Sequence, residues 1–262
     1  MSTLTVSLVQ YDIEWLSPEH NFSEIECLTA ELEPCDLLLL SETFATGFAL
    51  KERTSEFAHT ALTFMRALAA RHNCVVAGSV LVPEGDKKAN RFYWCWPPVS
   101  DNEAGRVEYY DKRHLFCLGN EGDYVSAGHD RKVFEIGDFK ILPQVCYDLR
   151  FPVFQRNNND YDVMVNVANW PAARRFAWDT LLRARAIENQ CYVLANNRIG
   201  EDGYGTAHNG GTVVLDYFGQ PQAQAPDNQA GVITVTLSKD SLAQFRAQFP
   251  AHLDADNFTL EL

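Results

Sequence analysis

The sequence predicts an α/β fold in which helices cover the outer faces of β-sheets, and three observations support this prediction. Apolar, β-rich runs alternate with helical stretches along most of the chain. Some of these runs are apolar on both faces, as strands in the middle of a parallel sheet are. Other runs come in pairs separated by short polar turns, which is typical of hairpins. The mixed order of strands, helices and hairpins is compatible with two sheets that pack together.

In the first half of the chain, each predicted strand leads into a helix or a turn. A helix is predicted over 18–33, with Ser17 as its N-cap and Pro18 at its first position. A second helix is predicted over 55–72. The segment D-N-E-A-G (101–105) is predicted as the turn of a hairpin. The strands predicted in this half are TLTVSLVQY (3–11), CDLLLLSE (35–42), CVVAGSVLV (74–82), RFYWCWPP (91–98) and RVEYYDK (106–112).

The second half of the chain continues the alternation. KVFEIGDFKILPQVCY (132–147) predicts a hairpin that turns at Gly137 and Asp138. Pro143 in its second strand has no N–H, so we expect this residue at a sheet edge or at a bulge. The helices predicted in this half cover 152–158, 173–190 and 239–248. The remaining strands are YDVMVNVAN (161–169), CYVLANNR (191–198), GGTVVLDYFGQ (210–220) and AGVITVTL (230–237).

Length, composition and charge restrict the function classes. No internal repeat, low-complexity segment or Gly/Ser linker interrupts the 262 residues, so a single domain over 1–262 is the simplest expectation. A net charge of −13 without any basic run disfavours a nucleic-acid partner. The first residues lack the pattern of a signal peptide, and no apolar run approaches the length of a membrane span. We therefore expect neither a nucleic-acid partner nor a membrane partner.

The cysteines indicate a reducing compartment. Their number, seven, is odd, their spacings are wide, and no C-x-x-C occurs. This pattern argues against a disulfide framework and against a thiolate zinc site. It predicts a reduced, cytoplasmic protein in which most thiols fill the core.

Three ionisable residues each follow a mostly apolar or aromatic strand. Glu42 ends CDLLLLSE, Lys112 follows RVEYYD, and Cys146 follows FKILPQV. Ligands of open α/β sheets bind outside the carboxyl ends of the strands. The sequence therefore predicts a carboxylate, an ammonium and a thiol at one edge.

These three groups suit nucleophilic catalysis. A thiol with a pKa of about 8.5 is only a few per cent thiolate at neutral pH, so it needs a base to act as a nucleophile. Glu42 is a candidate for that base. Lys112 is a candidate for stabilising the oxyanion that forms when a thiolate adds to a carbonyl or nitrile carbon, and the backbone N–H of Tyr147 is a candidate second donor.

Each residue also has an ordinary structural explanation. Glu42 could cap the next turn, Lys112 could end a solvated hairpin, and Cys146 could be core filler, because cysteine is a small hydrophobe. His114, close to Lys112, suits a structural role as well as a Cys–His site. Spacing alone does not show that these side chains meet, so the alternatives stay open.

Other chemistries are less well supported. The sequence contains no H-E-x-x-H, no G-x-S-x-G and no P-loop. A thiol redox sensor is disfavoured because no second cysteine lies near Cys146 in the sequence. Proximity of Cys117 or Cys191 in space would change that conclusion.

Taken together, the stretches around these residues resemble the nitrilase, or carbon–nitrogen hydrolase, superfamily, and in particular its omega-amidase branch. The glutamate, lysine and cysteine of the family motifs fall on Glu42, Lys112 and Cys146. The stretches that follow the family pattern are SETFATGF (41–48), YDKRHLF (110–116), VCYDLRFP (145–152), RARAIENQCYV (183–193) and FRAQFPAHLDAD (245–256). The resemblance therefore spans nearly the whole chain.

The resemblance implies a four-layer α-β-β-α sandwich of two mixed β-sheets and an enzyme that needs no cofactor or metal. It implies Glu42 as general base, Lys112 as oxyanion stabiliser and Cys146 as nucleophile. Glu121 in LGNEGDY matches the second glutamate of the family and is expected to orient Lys112 or the attacking water. Members of the family usually pair, so a homodimer is expected. The implied reaction is hydrolysis of the omega-amide of 2-oxoglutaramate or 2-oxosuccinamate.

Candidate substrate-binding residues surround the three motifs. Arg150, Arg174 and Arg175 follow strand ends and are candidates for binding a substrate carboxylate, although each also suits a surface ion pair. The candidates for the pocket wall and rim are Asn169, Trp170, Tyr147, Phe44 and Phe116. Departures from the family pattern, such as Val153 and N-G-G-T (209–212), concern substrate preference. A nitrilase, an aliphatic amidase, an N-carbamoyl amidohydrolase and a non-catalytic binding protein of the same fold remain as alternatives.

Overall fold

The computed structural model describes residues 2–100, 104–256 and 258–261. In this part of the chain, two six-stranded mixed sheets pack face to face. The strands of the first sheet are β1 (Thr3–Gln10), β2 (Leu37–Leu39), β3 (Val75–Glu84), β4 (Lys87–Cys95), β5 (Val107–Asp111) and β14 (Gly231–Ser238). Their spatial order is β14-β1-β2-β3-β4-β5. The strands β1, β2 and β3 run parallel, and the outer pairings are antiparallel.

The second sheet repeats this arrangement. Its strands are β6 (Phe134–Ile136), β7 (Phe139–Val145), β8 (Val163–Ala168), β9 (Tyr192–Asn197), β12 (Val213–Leu215) and β13 (Pro221–Gln224). Their order is β13-β12-β9-β8-β7-β6, with β7, β8 and β9 parallel. A separate two-stranded hairpin consists of β10 (Ile199–Glu201) and β11 (Ala207–Asn209).

Helices complete four layers. The helices are α1 (Pro18–Leu28), α2 (Ala58–His72), α3 (Glu121–Tyr124), α4 (Pro152–Gln155), α5 (Arg175–Asn189) and α6 (Lys239–Gln248). One apolar core lies between the sheets and includes Trp94 and Val165. A second core lies between the first sheet and α1 and α2, and a third lies between the second sheet and α5. The predicted α-β-β-α sandwich is therefore confirmed.

Most predicted elements are present, with shorter or additional segments at the ends. The helix α6 covers the predicted residues, and α1 begins at Pro18 but ends at Leu28 instead of residue 33. The predicted N-cap Ser17 makes no side-chain hydrogen bond to α1. Glu31 and Glu33 follow in the sequence, and acidic residues are unfavourable at the negative end of a helix dipole. The strands β10, β11 and β13 were not predicted.

The two predicted hairpins are present. The strands β4 and β5 pair antiparallel, as do β6 and β7. Of the predicted turn D-N-E-A-G, residues 101–103 lie outside the described residues. The strand β7 pairs with β8 in regular register, so Pro143 does not form a bulge. The strand β6 pairs with β7 only as far as Phe134↔Ile141. Pro143 lies further along β7, where the side of β7 that faces β6 is an open sheet edge. No helix in the described part of the chain is long and apolar enough to cross a membrane.

Candidate active site

Glu42, Lys112 and Cys146 lie together beyond the carboxyl ends of strands from both sheets. Glu42 follows β2, while Lys112 and Cys146 directly follow β5 and β7. The Nζ of Lys112 lies 3.1 Å from Oε1 of Glu42. The thiol of Cys146 lies close enough to the Glu42 carboxylate for that negative charge to raise the pKa of the thiol. The structure thus brings the three predicted reactive groups into one site.

Lys112 is a buried ammonium between two buried carboxylates. Its Nζ lies 3.1 and 3.0 Å from the two oxygens of Glu121, in addition to its contact with Glu42. The three side chains are at most 1% exposed. Glu121, which begins the short helix α3, also accepts a hydrogen bond from the backbone N–H of Phe116 at 2.6 Å. The position of Lys112 is therefore determined from two sides.

Two amide side chains hold Glu42 from the other directions. The Nδ2 of Asn90 donates to Oε1 at 2.8 Å. The backbone N–H of Asn169, beyond the end of β8, donates to Oε2 at 2.8 Å. The Asn169 side chain also donates to the backbone carbonyl of Glu42 at 2.8 Å. Since Glu42 follows a strand of the first sheet and Asn169 one of the second, these bonds join the sheets at the site.

Cys146 and Thr43, the residue after Glu42, adopt a backbone conformation that is rare for residues other than glycine. The φ angle is +46° at both Cys146 and Thr43. This left-handed region is unfavourable for residues with a side chain, above all for a β-branched residue such as threonine. Thr43 is held by its N–H, which donates to Ser79 Oγ at 2.9 Å. Strained conformations of this kind concentrate at functional sites.

A buried aspartate stabilises the turn at Cys146. Cys146 begins a 3-10 helix over Cys146–Arg150, in which Asp148 is fully buried. Oδ2 of Asp148 accepts hydrogen bonds from the N–H of Val145 at 2.9 Å and from the Tyr110 hydroxyl at 2.8 Å. The strand end that carries the thiol is therefore tied to β5.

The pKa shifts follow from burial and from the neighbouring charges. Burial raises the pKa of the Cys146 thiol well above its usual range; the charge of Glu42 raises it further, while Lys112 lowers it. Burial alone would lower the pKa of Lys112, but the charges of Glu121 and Glu42 outweigh it and raise that pKa. Burial also raises the pKa of Glu121, against the effect of Lys112. At neutral pH the site therefore holds a protonated thiol and a charged ammonium.

These groups lie in a cavity of about 330 Å³. Arg150 and Arg174 line it, and the structure places no carboxylate within 4.0 Å of either guanidinium in the described part of the chain. Instead, Arg150 stacks over Trp170 at 4.8 Å and Arg174 over Phe116 at 5.2 Å from the ring centre. The cavity thus combines reactive groups with two cations that are free to meet an anion.

Most of the predicted pocket residues line this cavity. Tyr147, Phe116, Asn169, Trp170 and Arg174 are among its lining residues. Trp170 also packs against Trp178 of α5, with ring centres 5.3 Å apart, so it belongs to the core as well.

Phe44 was predicted at the pocket rim, and this prediction is wrong because Phe44 does not line the cavity. It is fully buried in the core between the first sheet and the helices, near Phe22 and Phe64. The apolar helix layer is a more favourable environment for the ring than the polar site next to Glu42.

Two more candidates lie outside the cavity. Arg175 pairs with Asp179 and Asp227 at 2.8 and 2.9 Å, which is the surface ion-pair role that the sequence left open. His114 stacks on Phe151 and bonds to Asp148, so its role is structural.

Sequence reasoning missed several residues of the site. Asn90 and Asp148 position the reactive groups, and His208 of β11 lines the cavity. For Asp148, its place two residues after Cys146 was an available signal. For Asn90 and His208 the sequence carries no local signal, because both reach the site through long-range strand pairing.

The structure places no group of three or more metal-binding side chains together within residues 2–100, 104–256 and 258–261. All seven cysteines are free thiols. The sulfur of Cys117 lies 3.8 Å from the Tyr147 hydroxyl, beside the cavity.

Known proteins resemble this chain over nearly its whole length. The carbon–nitrogen hydrolase family matches residues 5–247. The omega-amidase YafV of Yersinia enterocolitica is 42% identical and covers 99% of this chain and 100% of its own. The 2-oxoglutaramate amidase of Bacillus subtilis is 32% identical and covers 95% and 96%, respectively.

One solved structure combines a similar fold with a similar sequence. It is XC1258 from Xanthomonas campestris, a CN-hydrolase superfamily protein with an arsenic adduct in its active site. It matches with a TM-score of 0.92 and 42% identity, over 99% of this chain and 100% of that one.

Proposed function

Since the chain belongs to the carbon–nitrogen hydrolase family and to its omega-amidase branch, we propose that this amide-hydrolysing enzyme acts on 2-oxo dicarboxylic acid monoamides. The proposed substrates are 2-oxoglutaramate and 2-oxosuccinamate, and the products are the dicarboxylate and ammonia. The observation that carries the proposal is the buried Glu42–Lys112–Glu121 group beside the thiol of Cys146.

In the first half of the reaction, the thiol becomes a nucleophile only when a base removes its proton. Glu42, the carboxylate beside Cys146, accepts that proton. The sulfur then adds to the amide carbon, and Lys112 and the backbone N–H of Tyr147 stabilise the oxyanion. Tyr147 lies in the first turn of the 3-10 helix, where N–H groups lack an intrahelical acceptor. Glu42 gives the proton to the leaving nitrogen. The carbon–nitrogen bond breaks, ammonia leaves, and the acyl group remains on Cys146 as a thioester.

In the second half, water replaces ammonia. Glu42 takes a proton from the water, whose oxygen adds to the thioester carbon, and the same donors hold the second oxyanion. The carbon–sulfur bond breaks, and the proton on Glu42 returns to the Cys146 sulfur. The new carboxylic acid loses its proton to water as the dicarboxylate is released. Glu121 keeps Lys112 in place through both steps, because it holds the ammonium from the side opposite Glu42.

Arg150 and Arg174 support a substrate with a carboxylate. Both line the cavity, and neither is neutralised by a carboxylate of the described residues. A charged hydrogen bond from either guanidinium to the substrate would hold the carboxylate end while the amide end reaches Cys146. A simple aliphatic amide or nitrile would leave both cations without a partner, so the two arginines favour the dicarboxylic monoamide over these alternatives.

Ammonia release from a substrate panel tests the proposal. The panel contains 2-oxoglutaramate, 2-oxosuccinamate, glutamine, a simple aliphatic amide, a nitrile and an N-carbamoyl amino acid. We expect the two 2-oxo monoamides to have the highest kcat/KM and Cys146→Ala to lose this activity with an unchanged circular dichroism spectrum. Preference for another panel member would replace the substrate, and full activity of Cys146→Ala would refute the nucleophile.

We also propose that two copies of the chain pair. The aromatic ring of Phe245 in α6 lies next to the rings of Phe218 and Phe249. Phe218 is 54% exposed and Phe249 is 61% exposed. Ile187 of α5 is 55% exposed. Exposed apolar patches of this kind mark interfaces. Light scattering after size exclusion measures the mass, and a mass of one chain would refute pairing.

A further inference from the structure

Arg185 is a buried arginine behind the turn that carries Cys146, and the reaction mechanism above does not use it. It lies in α5, which packs against the outer face of the second sheet, and it is 3% exposed. A guanidinium stays charged in proteins, and burying a charge is costly unless its donors are satisfied. The partners of these donors therefore indicate the role of the side chain.

The donors of Arg185 hold the end of the 3-10 helix that begins at Cys146. Nη2 donates to the backbone carbonyl of Leu149 at 2.7 Å, and Nε donates to Oε1 of Gln155 in α4. Leu149 belongs to that 3-10 helix, and the last carbonyls of a helix have no partner within it. Nη1 donates to the Glu188 carboxylate at 2.9 Å, within α5. The guanidinium thus joins α5 to the turn and to the short helix after it.

Gln155 extends this contact to two further groups. Its Nε2 donates to the backbone carbonyl of Asp148 and, at 3.1 Å, to Oε1 of Gln144 in β7. Both glutamine side chains are fully buried. Arg185 and Gln155 therefore hold the carbonyls of two consecutive residues of the turn, Asp148 and Leu149.

The turn needs this support because its backbone is strained. The φ angle of +46° at Cys146 belongs to a conformation that persists only when the surrounding structure over-determines it. The side chain of Asp148 holds the start of the turn through the N–H of Val145. Arg185 holds its end through the carbonyl of Leu149. The nucleophile thus lies on a turn that is fixed at both ends.

Resting on the thioester mechanism of the proposed function, we propose that Arg185 is a positioning residue for catalysis. It fixes the turn that carries the sulfur of Cys146 and the backbone N–H of Tyr147, so that both keep their place relative to Lys112. A misplacement of about 1 Å caused by a change away from the reacting atoms can cost about a hundredfold in rate. Arg174 lies outside this turn and still binds the substrate, so the loss should affect kcat more than KM.

The experiment measures kcat, KM and stability in urea for Arg185→Met and for the control Arg183→Met, on the best substrate of the panel. Methionine keeps an unbranched apolar side chain but has no donor. Arg183 is the matched control because it lies in the same helix and also donates to a backbone carbonyl, that of Gly219 between β12 and β13. Two strands separate β12 from β7, which leads to Cys146.

We expect kcat of Arg185→Met to fall by about ten- to hundredfold, with a change in KM below about threefold. Arg183→Met should keep kcat within about twofold of the wild type. A third variant, Arg185→Lys, retains the buried charge but not the planar fork of donors. Its kcat should lie between those of Arg185→Met and the wild type.

A folded Arg185→Met with the kcat of the wild type would overturn the inference. So would an equal loss of kcat in Arg183→Met at the same loss of stability, because the effect would then be general destabilisation. If Arg185→Met does not fold, Arg185→Lys decides, and a kcat equal to that of the wild type would overturn the role. A different preferred substrate would refute the proposed substrate class and leave this role standing, because the role concerns the sulfur and not the acyl chain. Full activity of Cys146→Ala would refute the thioester mechanism and the role of Arg185 with it.

Discussion

Asp148 accepts hydrogen bonds from both the backbone N–H and the ring Nδ1 of His114, at 2.9 and 2.8 Å. His114 lies two residues after Lys112, and Asp148 lies two residues after Cys146. The same carboxylate also accepts from Val145 and Tyr110. One buried carboxylate thus connects the segment that carries Lys112 to the turn that carries Cys146.

The variant Asp148→Asn tests this connection. The amide retains one acceptor oxygen and introduces two donors among groups that already donate, so at least one bond is lost. Leaving a buried donor unpaired costs about 1–3 kcal/mol, and we expect a loss of stability in that range in urea unfolding. We also expect kcat to fall by about ten- to hundredfold with a smaller change in KM, because Arg174 lies outside the 3-10 helix that Asp148 holds.

Its matched control is Asp160→Asn, which removes a charge from a more exposed carboxylate paired with Arg131. This control should leave kcat unchanged. Equal kcat values for the wild type and Asp148→Asn would show that the connection does not position the reacting groups.

Removal of Lys112 should destabilise the protein in a pH-dependent way. In Lys112→Met, Glu42 and Glu121 remain buried without the ammonium between them, and breaking a buried ion pair costs about 3–5 kcal/mol. The pKa of Glu121 is already raised, and loss of Lys112 raises it further. When a carboxyl has a higher pKa in the folded state than in the unfolded state, the folded protein loses stability as the pH rises towards and through that higher pKa. We therefore expect a larger loss at pH 8 than at pH 5, together with loss of activity.

Addition of Glu121→Gln to Lys112→Met removes one of the two facing charges. The double variant should recover part of the stability at pH 8 and should remain inactive. Urea unfolding at both pH values measures this. A double variant less stable than the sum of the single changes would contradict the charge argument.

The sequence predicted the parts of the fold that depend on local patterns. The helix α6 and the hairpin at Gly137 follow directly from periodicity and turn residues. The strand-end positions of Glu42, Lys112 and Cys146 also followed from the apolar runs before them. These features need only neighbouring residues, so a single sequence contains them.

Contacts between distant segments were beyond such reasoning. Glu42 and Asn169 are 127 residues apart and meet only because the sheets pack face to face. Phe44 was expected at the rim, but one turn of backbone after β2 directs it into the helix layer. The strand β11 contains only Ala-His-Asn, which has no apolar alternation, so His208 was not recognised as a wall residue.

The two free guanidinium groups of the cavity predict a charge preference. We expect Arg174→Leu or Arg150→Leu to raise KM for 2-oxoglutaramate by about ten- to hundredfold, because a charged hydrogen bond contributes about 1.5–3 kcal/mol. Turnover of a neutral aliphatic amide should not fall in the same variants. Arg175→Leu is the matched control, because Arg175 lies outside the cavity and should leave both substrates unaffected. Equal losses on charged and neutral amides would argue against carboxylate binding.

The buried thiols predict loss of stability in alkali. Burial raises the pKa of Cys95 and of Cys191 to about 12. Above pH 9 the unfolded chain releases these protons while the folded protein retains them, so stability falls as the pH rises. At 1.36 kcal/mol per pH unit, each thiol accounts for about 2 kcal/mol between pH 9 and pH 10.5. In urea unfolding, Cys191→Ala should reduce this slope and the exposed control Cys27→Ala should not.

His208 predicts the opposite dependence in acid. Its pKa is lowered by burial and by Arg198 from 6.5 to about 4. Between these values the unfolded chain binds a proton that the folded protein excludes, so stability falls as the pH decreases from 6.5 to 4. A difference of about 2.5 pKa units corresponds to about 3 kcal/mol. In urea unfolding, we expect the stability of His208→Asn to fall less than that of the wild type between pH 6.5 and pH 4. The exposed control His20→Asn should show the same decrease as the wild type. If the stability of His208→Asn fell as steeply as that of the wild type, folding would not lower the pKa of His208.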